Sequence, residues 1–137
     1  YALHESLVLV KEEGLENAWA RHVFHHKALV AGIEAMGLKF IVPEGERLPQ
    51  LNAVTIPEGV DEAAVRKALL EIYSLEIGAG LGELAGKVWR IGLMGFACNQ
   101  KNVLFCLGAL DSVLTSMKAP INSGKAVGAA LAAYSVM

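Results

Sequence analysis

Apolar residues recur along this chain at helical spacing in long blocks, separated by short stretches that alternate or run into glycine. Residues Ala2 to Glu13 form a first block, predicted as a helix that stops at Gly14. A longer helix is predicted over residues 16–36, where Leu15, Trp19, Val23, His26, Val30 and Ile33 recur every three or four positions as its apolar stripe. Gly37 is placed to cap its C-terminus. Residues 38–42 read as a strand, residues 43–49 as a polar loop, and residues 52–56 as a second alternating strand ending at Pro57. Asp61 is the expected N-cap of a helix reaching about Tyr73, and Asn99 that of a last one. The last helix carries the stripe Val103, Cys106, Leu107, Leu110, Val113, Leu114 and Met117.

Between these two helices come a short strand near Glu76 and Ile77, a glycine-rich connection over residues 78–86, and a strand centred on Arg90. Alternation puts Trp89 and Ile91 on one face of that strand and Val88, Arg90 and Gly92 on the other. A guanidinium keeps its proton, so half-burying one requires an anionic partner. The partner of Arg90 is either an internal Asp or Glu, or a ligand; the planar fork is suited to a carboxylate held by two parallel hydrogen bonds. Mixed helices and short strands predict an α+β layer.

The last twenty residues differ. Ala119, Ala126, Ala129, Ala130, Ala132 and Ala133, with Gly124 and Gly128, give residues 118–137 little bulk to bury, which leaves two readings, a frayed helix or disorder.

Composition narrows the function classes. The 137 residues suffice for one domain with a real core, and 54% are hydrophobic, above the usual ~45–50%. A net charge of −2, with no basic cluster beyond residues 22–27, argues against nucleic acid. No apolar run reaches the ~20 residues that span a bilayer. Cys98 and Cys106 lack a C-x-x-C spacing and read as free thiols of an intracellular protein.

Three apparent motifs fail on their chemistry. Residues 78–82 follow a strand as a dinucleotide loop would, but Glu83 stands where a glycine is required and a strand follows, so an inter-strand turn or substrate lid is expected. Ser123-Gly124-Lys125 resembles the end of a phosphate loop, yet Ala119 and Ala126 break the pattern. His22 and His26 are one helical turn apart near His25, without acidic or cysteine ligands at a sensible spacing, so a core or interface role is expected and no metal.

Five stretches in order carry a family resemblance: Tyr1-Ala2-Leu3-His4-Glu5-Ser6-Leu7, Gly14-Leu15-Glu16-Asn17-Ala18-Trp19, Arg47-Leu48-Pro49, Leu75-Glu76-Ile77-Gly78-Ala79-Gly80-Leu81-Gly82, and above all Gly86-Lys87-Val88-Trp89-Arg90-Ile91-Gly92-Leu93-Met94-Gly95. From residue 1 to about residue 117 they resemble the C-terminal part of the alanine–glyoxylate (serine–pyruvate) aminotransferases, class V pyridoxal-phosphate enzymes. The resemblance implies the small domain of the aspartate-aminotransferase-like, fold type I architecture, with long helices on a small, mostly antiparallel sheet. It implies that residues 1–117 hold the end of the large domain plus the small domain, and that residues 118–137 are a tail outside it.

The same resemblance implies that Arg90 binds the substrate α-carboxylate while an amino group moves from alanine or serine to glyoxylate or pyruvate, and that the intact enzyme is a homodimer. It implies a cofactor, pyridoxal 5′-phosphate, held mainly by an upstream domain, because none of the eight lysines (Lys11, Lys27, Lys39, Lys67, Lys87, Lys101, Lys118, Lys125) has the context of the family's Schiff-base lysine. The chain is therefore expected to be truncated upstream. The alternatives are a non-catalytic carboxylate-binding or dimerisation module, or a sister chemistry on the same fold such as a cysteine desulfurase or kynureninase. Tyr134-Ser135-Val136-Met137 does not match the peroxisomal import tripeptide, so peroxisome, mitochondrion and cytoplasm all stay open.

Overall fold

In the computed structural model, which describes residues 1–136, five helices and three strands follow the order α1 (Ala2–Glu13), α2 (Leu15–Ala35), β1 (Leu51–Thr55), α3 (Glu62–Tyr73), β2 (Gly78–Ala79), β3 (Val88–Gly92), α4 (Gln100–Ser116) and α5 (Ala126–Val136). The helix ends sit where local chemistry puts them. Gly37, at φ +83°, closes α2: its N–H donates to the Glu34 carbonyl, and the Leu38 N–H reaches back to Ile33. Asp61 Oδ1 accepts from the N–H groups of Ala63 and Ala64 (3.0 and 3.1 Å), and Asn99 Oδ1 accepts from Asn102 N–H (2.9 Å).

The sheet has the order β1-β3-β2 and is antiparallel throughout, so β3 is central. Trp89 and Ile91 enter the core as the alternation requires, and Arg90 is half-buried on the opposite face. The core joins Val54, Trp89 and Ile91 of the sheet to Leu29 and Ile33 of α2, Val65 and Leu69 of α3, and Leu107, Leu110 and Leu114 of α4. This is the α+β small-domain architecture, helices on a small antiparallel sheet.

Four expectations change. Residues 38–42 do not form a strand: they run beside β1 through one bridge, Phe40 with Val54, before Pro43, which has no N–H to offer. The strand expected near Glu76 and Ile77 lies two residues later, at Gly78–Ala79, where it meets β3. Of the stripe predicted on α2, Ile33 is buried and His26 and Val30 are half-buried, but Leu15, Trp19 and Val23 are exposed, and the rest of the buried face includes Ala18, His22, His25, Leu29 and Gly32.

The fourth change concerns residues 118–137. Residues 126–136 form α5, which packs along α2 with Ala126 and Ala130 fully buried. A Cβ on Gly32 would lie 2.4 Å from Leu107 Cδ1 and 3.0 Å from the Ala126 carbonyl oxygen. Lack of bulk lets the two helices approach. The turn before α5 is pinned from α4, where the Asp111 carboxylate accepts from Ser123 Oγ (3.0 Å), Gly124 N–H (2.8 Å) and Thr115 Oγ1 (3.2 Å).

Candidate functional site

Arg90 stands at the middle of β3 with a small residue on either side, since Ala53 of β1 and Gly78 of β2 are its cross-strand partners. Its Nε–H donates to the Ala79 carbonyl at 2.7 Å. That bond fixes Nε and uses neither Nη group. The chain has four arginines. Arg21 pairs with Glu13, Arg47 with Glu34 and Arg66 with Glu62, whereas Arg90 has no carboxylate within ion-pair distance among the described residues. Among the described residues the internal salt bridge left open from sequence is not formed.

The surroundings of Arg90 are themselves braced. The glycine-rich connection is a hairpin turn joining β2 to β3, with Gly80 N–H donating to the Val88 carbonyl (3.0 Å). A Cβ on Gly80 would meet the Leu84 carbonyl oxygen at 1.9 Å, so the turn itself requires glycine there. Beyond the end of β3, Arg21 ties three segments together. It binds Glu13 at the end of α1 (2.8 Å from Nη2), and its Nη1 donates to the carbonyls of Gly95 (2.9 Å) and Cys98 (3.0 Å), just beyond β3. The hydrogen bond from Arg21 holds the Glu13 carboxyl below its ordinary pKa.

The histidines form separate internal contacts. His22 Nδ1 bonds the Ala18 carbonyl, His25 Nδ1 bonds the Tyr134 hydroxyl (2.8 Å), and His26 Nδ1–H donates to Asn52 Oδ1 (2.8 Å). Burial lowers the pKa of His25 and His26, which favours the neutral rings. No group of three or more potential metal ligands occurs among the described residues. Ser123 and Gly124, the false phosphate loop, already hold an anion, the Asp111 carboxylate.

A cavity of about 320 Å³ opens on the Ile91 side, between Leu29, Leu93, Val103 and Cys106. Burial pushes the Cys106 thiol up to about 12, and Cys98 also above its ordinary value, so neither free cysteine offers a thiolate. No described helix is long and apolar enough to cross a membrane.

Sequence reasoning singled out Arg90 and missed Arg21 and Asp111. Asp111 was detectable as a carboxylate set among Leu107, Leu110 and Leu114 on an apolar helix face; Arg21 gave no local sign, because its partners at residues 95 and 98 are tertiary.

No family model matches the chain. It is 48% identical over 134 residues to the (S)-ureidoglycine–glyoxylate transaminase of Bacillus subtilis, covering 98% of this chain and 32% of that protein. It is 42% identical over 104 residues to the alanine–glyoxylate aminotransferase of Mus musculus, covering 75% of this chain and 25% of that one. The crystal structure of the Bacillus subtilis ureidoglycine–glyoxylate aminotransferase superimposes with a TM-score of 0.94 at 47% identity, over 98% of this chain and 35% of the other. The chain spans about a third of the length of these relatives or less. The likeness also extends past residue 117, where the resemblance expected from sequence stops, and reaches into α5.

Proposed function

Because the chain belongs to the class V pyridoxal-phosphate aminotransferases of the alanine–glyoxylate and serine–glyoxylate type, we propose that it is the small domain of a transaminase in which Arg90 binds the substrate α-carboxylate. The observation that supports this reading is the unpaired fork: three arginines have glutamate partners, whereas Arg90 has none among the described residues, and its bond to the Ala79 carbonyl uses Nε and neither Nη group. Two Nη–H groups match the two oxygens of a carboxylate. The amino donor and the 2-oxo acid acceptor both carry that carboxylate, so one arginine serves both half-reactions. Glyoxylate or pyruvate is the proposed acceptor, glyoxylate being common to the names of the relatives above; alanine or serine is the proposed donor.

In this reading pyridoxal phosphate is held mainly outside these residues, which is supported by the exposure of every lysine. All eight lysines are exposed, and none is enclosed beside Arg90. When bound, the cofactor supplies the electron sink for chemistry at the amino carbon. In this proposal its lysine and phosphate ligands come from polypeptide outside these residues, and the present residues position the substrate. Arg90 fixes the carboxylate and thereby the direction of the Cα–H bond, a contribution through orientation. The homodimer implied by the family stays part of the proposal, supported by the exposed Leu3, Leu7, Leu15 and Trp19 of α1 and α2.

Replacing Arg90 by Ala in the intact transaminase removes a charge-assisted contact of about 1.5–3 kcal/mol, a ten- to hundred-fold loss in kcat/KM. Thermal stability is expected to stay unchanged, since no internal carboxylate is stranded. Lys restores only part of the rate, lacking the planar fork. A large fall in melting temperature with unaltered kinetics would contradict the assignment.

A further inference from the structure

Glycine in a strand forfeits side-chain packing and adds disorder to the unfolded chain, so its presence there points to a close approach. Gly78 is such a residue. It is not among the residues with positive φ, and as part of β2 it has an extended backbone that any L-residue adopts. The turn therefore does not require glycine at 78 as it does at 80. What lies over Gly78 is Arg90: a Cβ there would sit 3.3 Å from Nη2 and 3.4 Å from both Nε and Cβ of that arginine. The guanidinium rests against the bare face of β2, and from that position Nε reaches the Ala79 carbonyl at 2.7 Å.

We propose that Gly78 is a positioning residue for Arg90: its missing side chain lets the guanidinium lie flat on β2, so that Ala79 fixes Nε and both Nη groups face the substrate carboxylate. This rests on the reading of Arg90 as the carboxylate-binding residue. A methyl group at 78 lifts the fork by a few tenths of an ångström, and a β-branched side chain displaces it from the Ala79 carbonyl. The cost falls on substrate binding and orientation. It does not fall on the hairpin, where a β-branched residue suits the strand and removal of glycine restrains the unfolded chain.

The test is Gly78→Ala and Gly78→Val in the intact transaminase, each alone and in an Arg90→Ala background. KM for both amino donor and oxo acid is expected to rise about five-fold with Ala and more than ten-fold with Val, kcat changing less. The melting temperature should be unchanged or higher, an effect opposite to that of a structural defect. In the Arg90→Ala background neither substitution should change KM further. If Arg90→Ala lowers kcat/KM but Gly78→Ala and Gly78→Val fold with unchanged KM, Gly78 does not position the fork. The proposal fails equally if Gly78→Val raises KM by the same factor with and without Arg90. Should Val fail to fold, Gly78→Ala decides alone. Unaltered kinetics in Arg90→Ala itself is a different failure, that of the carboxylate assignment.

Discussion

Helices α1 and α5 invert the relation that hydropathy suggests. α1 carries Leu3, Leu7, Val8, Leu9 and Val10 and buries none of its residues; α5 is mostly alanine and glycine, yet Ala126 and Ala130 are wholly enclosed. The difference is one of fit. α5 has a matching partner, a groove on α2 at Ala28 and Gly32 walled by Leu107 of α4, and the Asp111 carboxylate anchors the turn leading into it. α1 has large apolar side chains but meets the rest of the described chain mainly near its end, where Glu13 binds Arg21. Close packing rewards shapes that interlock, so small residues that admit a backbone contribute more here than bulk without a facing surface.

The sharpest way to break this contrast is to fill the groove. Gly32→Val places atoms where Leu107 and the Ala126 carbonyl already lie, and should destabilise the chain by about 1–3 kcal/mol through overpacking, read as a lower urea midpoint with α5 amides losing hydrogen-exchange protection first. An unchanged midpoint would mean that α5 is not seated as described. The smallest effect belongs to α1. In the monomer, Leu3→Lys and Leu7→Lys, at 74% and 60% exposure, should alter the unfolding free energy by less than about 0.5 kcal/mol despite adding charge to apolar positions, a larger effect being reserved for the subunit contact of the dimer. A loss as large as that of Gly32→Val would erase the distinction between the two helices.

The same distinction explains what could be read from sequence. Gly37, Asp61 and Asn99 were legible as caps because a cap is a bond between a side chain, or a bare backbone, and groups a few residues away. The apolar stripe predicted on α2 is real in spacing and holds at Ile33, but Leu15, Trp19 and Val23 are exposed, since periodicity shows that a face is apolar and not which neighbour covers it; the covered face there carries Ala18 and two histidines. The displacement of β2 from Glu76–Ile77 to Gly78–Ala79 has a similar origin, since a two-residue strand exists only through its pairing with β3. Arg90 was legible by type and motif. Its unpaired state was not, because the glutamates that bind the other three arginines lie between 4 and 13 residues away, and that none approaches Arg90 is a property of the fold.

Arg90 also marks a second contrast, between a charge satisfied inside the protein and one kept available. The most direct measurement compares a substrate carboxylate with its neutral counterpart: kcat/KM of the intact transaminase for alanine against alaninamide, before and after Arg90→Ala. If the fork of Arg90 binds the carboxylate, the parent enzyme prefers the acid by ten-fold or more, at about 1.5–3 kcal/mol for the charge-assisted contact, and Arg90→Ala removes most of that preference by losing activity on alanine while activity on the amide changes little. A preference for the acid that survives undiminished in Arg90→Ala would contradict the account.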